Sequence, residues 1–109
     1  MSINFHEKEV VNGEYNIVNI KNIMEGRLID MLEKLTSKAE ESMERALHHA
    51  NKTDGNKTTN ILNAEYHMGE FHAYMELIEE ISLDKYVEIG EKTKEARQTV
   101  LETIDKIYR

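Results

Sequence analysis

Cysteine is missing from all 109 residues, which removes disulfides, thiolate nucleophiles, cysteine-ligated zinc and iron–sulfur clusters together. Proline is missing too, and aromatic residues make up only 6% of the chain, so little in the sequence opposes long helices. Positive charge is in short supply: 14 Lys and Arg face 21 Asp and Glu, a formal charge of −7. Such a field repels nucleic-acid phosphate and anionic lipid, so neither is expected as a direct partner. No apolar run approaches the ~18–20 residues a membrane span needs. The opening Met1-Ser2-Ile3-Asn4-Phe5 lacks the basic and apolar regions of a secretion signal. These absences lead to the expectation of a cytoplasmic protein, and 12.7 kDa is one domain's worth of chain.

What the sequence does hold is apolar residues at three- and four-residue intervals, the spacing of one helix face. The first stripe runs through Ile17, Ile20, Met24, Leu28, Met31, Leu35, Ala39, Met43, Ala46 and Ala50. Gly26 weakens that helix, and Ser37 with Glu40 forms a capping box that allows a break near Thr36. Asp54-Gly55, within the polar stretch Asn51–Thr58, signals a chain reversal, with Thr58, Thr59 or Asn60 placed to cap the next helix. A second seam follows: Ile61, Ala64, Met68, Phe71, Met75 and Ile78, broadened by Tyr74, Leu77 and Ile81. The third segment carries Tyr86, Ile89, Thr93, Ala96, Val100, Ile104 and Ile107. Ser82 is the expected turn between the second and third segments; without it, residues 59–108 would be one long rod requiring a partner.

The fold class predicted is all-α: an antiparallel bundle of three helices, or four if the first breaks, over residues 17–109. Residues 1–16 stand apart as a short N-terminal arm or β-hairpin. Asn12-Gly13 between apolar runs is a hairpin signal, but a lone hairpin is marginal in water, and His6-Glu7-Lys8-Glu9 is too polar for a buried strand.

Chemistry-bearing motifs are few. There is no Gly-rich phosphate loop, no Walker lysine and no nucleophile elbow, so neither an enzyme nor a cofactor is expected. Among the five histidines, His67 and His72 lie roughly 140° apart around one helix and cannot chelate one ion together. A metal-binding bundle therefore survives only if His67 joins Glu70 and a residue from another helix, and no metal ligands are assigned. His48-His49 falls where a helix C-terminus favours cationic groups. Glu40, Glu41 and Glu44, with Glu76, Glu79 and Glu80, form acidic patches; as one strip they would imitate a phosphate backbone and block a DNA- or RNA-binding enzyme. Asn, Ile and Lys supply 30 of the 109 residues, usage that fits an AT-rich coding sequence such as that of a low-GC bacterium or its phage.

The first expectation for function follows from unequal helix lengths. A first helix of about 34 residues outreaches a second of about 23 by some 15 Å, so unless it breaks near Thr36 its N-terminal half, with Ile20, Ile23, Leu28, Ile29 and Leu32, needs cover from the N-terminal arm or another chain, and Ile20, Ile23, Met24, Leu28 and Met31 are the expected partner-binding residues. The chain then reads as a small acidic protein-binding module, an adaptor, inhibitor or homo-oligomer, that docks through this apolar face. The acidic nucleic-acid mimic and the metal-binding bundle are the alternatives.

Overall fold

The computed structural model describes residues 13–108, with side chains from 19 to 107. Four helices succeed one another: α1 (Gly13–Asn51), α2 (Lys57–Ile81), α3 (Leu83–Lys92) and α4 (Lys94–Tyr108), with no strand among the described residues. The expected all-α bundle is the fold observed. Two compact units divide the chain, Met1–Met31 and Leu32–Arg109.

Helix α1 opens at Gly13, four residues before the expected Ile17, and runs unbroken through Gly26 and Thr36. The first half of the hairpin read at Asn12-Gly13 lies outside the described residues. Its second half, Tyr15, Ile17 and Val18, is helical. The i, i+3, i+4 stripe that begins at Ile17 explains this: it gives the segment a helical face, whereas two isolated strands would have nothing to pack on. At Thr36 the hydroxyl donates to the Leu32 carbonyl at 2.8 Å, a back-bond that the helix absorbs without breaking.

Local devices start and end the helices of the second unit. Gly55 takes a φ of +79°, a left-handed conformation that costs other residues about 1–2 kcal/mol, and turns the chain between α1 and α2. Asn56 then caps α2, its side chain accepting from the Thr59 amide at 3.0 Å. The cap therefore lies two residues before the first position expected for it, Thr58. The buried Asn60 serves a different purpose, its Nδ2 donating to the Asp54 carbonyl at 2.9 Å to tie the loop down. Ser82 is the predicted turn. One extended residue (φ −153°, ψ 107°) ends α2 by donating its amide to Ile78 and starts α3 by accepting from the Lys85 amide.

The break in the third segment is at Thr93, which makes it two helices rather than one. The Thr93 hydroxyl donates to the Ile89 carbonyl at 2.8 Å, and Arg97 Nη2 reaches the Gly90 carbonyl at 3.2 Å. The fourth helix thus arises here and not near Thr36. Outside the helix ladder, carbonyls near the end of α3 have partners, so the interruption leaves them satisfied.

All six residues of the α2 seam, Ile61, Ala64, Met68, Phe71, Met75 and Ile78, are buried. α1 covers them with Ala39, Met43 and Ala46, α3 with Ile89 and α4 with Val100. The stripe of the third segment faces inward along its whole length, from the half-buried Tyr86 to the half-buried Ile107. Leu77 departs from expectation. It is exposed, while Tyr74 and Ile81 are half-buried.

Two glycine substitutions separate backbone strain from packing. Gly55→Ala should lower unfolding free energy by about 1–2 kcal/mol, because alanine resists the left-handed conformation. Gly69→Ala should raise it by up to ~1 kcal/mol, since a Cβ there meets nothing within 4 Å and the residue lies inside α2. Urea titrations of both variants read the opposite signs directly.

Candidate partner-binding face

The described part of the first unit is a single helix, the portion of α1 up to Met31. Ile20, Met24, Leu28 and Met31 are exposed there by 41%, 59%, 47% and 50%, and Ile23 is half-buried. At 100° per residue these five occupy an arc of about 140°, along about 16 Å of helix. Ile29 is exposed as well but lies five residues from Met24, about 140° away around the helix, so it falls outside this arc.

The face has a regular rhythm. Ile20, Met24, Leu28, Met31, Leu35, Ala39, Ser42, Ala46 and Ala50 are spaced 4,4,3,4,4,3,4,4. An 11-residue repeat gives 3.67 residues per turn, close to the 3.6 of a straight helix, so the stripe drifts little. Its members Ala39, Ser42 and Ala46 are buried in the core of the second unit, whereas its members from Ile20 to Met31 are exposed. One sequence pattern thus has two environments. Lys21, Glu25 and Asp30 lie beside the exposed arc and Arg27 within it, and the two cations balance the two anions, so this stretch is formally neutral within a chain of charge −7.

The acidic residues are not all free. Glu40 forms an ion pair with Lys92 of α3, and Glu41 pairs with Arg45 at 2.6 Å. The Glu40 carboxylate holds the Lys92 ammonium above the ordinary lysine range. Glu44 borders an open groove with His48, Asn51 and Asp54, while Glu76, Glu79 and Glu80 are exposed on α2. Exposed pairs of this kind contribute little stability, and here they also cancel charge.

Histidines gather where α1 ends. His49 stacks on His67 of α2, with ring centroids 5.4 Å apart and planes within 7° of parallel, and His48 meets His49 edge-on. His67 Nδ1 donates to Glu70 Oε1 at 2.6 Å, the pairing on which the metal reading depended. The residue supplied by another helix is His49, but its ring lies over the face of His67. Among the described residues no three of His, Asp or Glu are grouped to hold a metal ion. His72 is exposed, edge-on to Phe71. Nothing in the sequence marks the His49–His67 contact, because the two rings meet only when α1 and α2 pack.

His49 Nδ1 is buried without a hydrogen-bond partner. Burial holds the imidazole below its ordinary pKa of 6.5, helped by the neighbouring His67, His48 and Lys52. Below 6.5 the unfolded chain takes up a proton that the folded chain resists, so this group reduces stability as pH falls towards its folded pKa. Urea midpoints measured between pH 7.5 and pH 5.5 should fall on the acid side, and the fall should be shallower in His49→Gln. An identical slope in that variant would assign the pH response to other groups.

No helix among the described residues is long and apolar enough to cross a membrane. No family model, curated protein or solved structure matches this chain.

Proposed function

We propose that the chain is a small acidic, non-enzymatic protein-binding module that docks through the α1 face formed by Ile20, Ile23, Met24, Leu28 and Met31, with a second copy of itself as the readiest partner. The observation that carries the reading is the exposure of this face over a stretch where no other described element belongs to the same unit. A single helix gains most of its stability in water by packing its apolar side, so an uncovered stripe favours association. Met24 and Met31 suit such a contact, since an unbranched thioether side chain adapts to an irregular surface.

Charge supports self-association in particular. The whole chain would repel its copy, but the docking stretch is neutral, and at physiological salt charges more than about 8 Å apart are largely screened. The acidic-mimic reading has less behind it. It needs six free carboxylates in one strip, and Glu40 and Glu41 are already ion-paired.

Sedimentation equilibrium tests the proposal. The average mass of the intact chain should rise with concentration. Met24→Asp combined with Leu28→Asp should weaken that association at least ten-fold, about 1.4 kcal/mol, while helix content and the melting of the second unit hold steady. A mass that is monomeric at every concentration, or equal association by the double variant, would overturn self-association through this face.

A further inference from the structure

We infer that the solvent side of α2, the stripe Leu62, Tyr66, Gly69, Ala73 and Leu77, docks a basic amphipathic helix of another protein. This surface belongs to the second unit and is independent of the α1 face, so either can fail without the other.

α2 is apolar on two sides. Its seam from Ile61 to Ile78 is buried, whereas Leu62, Tyr66, Gly69, Ala73 and Leu77, spaced 4,3,4,4, are all exposed. At 100° per residue these five lie within an arc of about 80°, on the side of α2 opposite the seam, and they extend for about 22 Å. A surface helix ordinarily carries polar residues there. Three large side chains, Leu62, Tyr66 and Leu77, instead stand exposed along one line, and tyrosine is among the residues that carry most binding energy.

Gly69 is an independent sign of close approach. Glycine inside a helix costs about 1 kcal/mol relative to alanine, and no described neighbour requires it, since a Cβ at Gly69 would meet nothing within 4 Å. With Ala73 one turn on, it leaves a shallow notch between Tyr66 and Leu77, where the backbone of a second helix can come near.

Charge selects the kind of helix. From Thr58 to Ile81, α2 holds five glutamates and neither lysine nor arginine. Glu65 and Glu76 flank one edge of the stripe, Glu70 the other, and Glu80 closes its C-terminal end. Neither Glu76 nor Glu80 pairs with a cation among the described residues. A second copy is a poor occupant, because its α2 carries the same glutamates and its exposed α1 stretch is neutral. A helix of about four turns with lysines or arginines bordering an apolar side complements both the rim and the line of apolar side chains.

The probe is a fluorescent 15-residue peptide of leucine and lysine, helical with its leucines on one side. Its anisotropy should rise saturably with the intact chain, and amide shifts in a 15N-labelled sample should concentrate on Leu62 to Leu77. A peptide of the same composition in scrambled order should bind at least ten-fold more weakly, as should the first peptide to Tyr66→Ala combined with Leu77→Ala, or to Glu76→Lys combined with Glu80→Lys. Both double variants replace exposed side chains, so their melting should match that of the parent chain. No saturable binding, equal binding of the scrambled peptide, an unchanged affinity in either double variant, or shifts confined to α1 would each overturn the inference. So would a loss of self-association in the chain carrying Tyr66→Ala and Leu77→Ala, which would make a second copy the occupant.

Discussion

Covering one side of α2 is the demand around which the second unit is organised. Its seam from Ile61 to Ile78 is buried on every member, and each of the other three helices places residues against it. α1 does so mainly with small side chains, Ala39, Ser42 and Ala46, and Ala64 of α2 is equally small and fully buried. Small residues let two helix backbones approach closely, so the bulk of the core comes from Phe71, Met68, Met75 and Met43. Methionine fits here because its flexible side chain fills the irregular space between helices of unequal length.

The same helix that closes this core carries an equally regular stripe from Ile20 to Met31 with no such cover. Larger residues occupy this part of the repeat: isoleucine, methionine and leucine stand where alanine and serine stand further along. A stripe of alanine would lose little by exposure to water, but this one exposes several large side chains in a row. That contrast in exposure is the observation on which the proposed docking role rests. The ion pairs Glu40–Lys92 and Glu41–Arg45 and the His49–His67 stack all lie in the second unit, where they involve helices already packed together.

Much of this was legible in the residue order because helical period is a local property. The α2 seam, the inward face of the third segment and the turn at Ser82 follow from spacing and from one small polar residue between apolar runs. Thr93 was not legible as a break. Thr36 makes the same hydroxyl-to-carbonyl bond in an unbroken helix, so threonine by itself carries no signal; what differs is the burial of Thr93 and the Arg97 side chain reaching the Gly90 carbonyl. The cap of α2 was displaced for a similar reason. Several neighbouring residues can cap, and Asn56 does so because the backbone after Gly55 holds it extended. The helical spacing of Ile20, Met24, Leu28 and Met31 was readable in the sequence, whereas the pairing of Glu40 with a lysine 52 residues away was not.

By itself, then, the order of residues determined that the chain is helical, which side of each helix is apolar, and that catalytic and cysteine chemistry have no motif here. These depend on neighbours within a few positions, and the period of the backbone converts them into faces. Tertiary structure alone decided which part of the long stripe is covered, that Glu40 is paired with Lys92, and why an imidazole at the end of α1 has a buried nitrogen with no partner. Each of those depends on groups far apart in sequence coming within a few ångströms, and no local pattern encodes that distance.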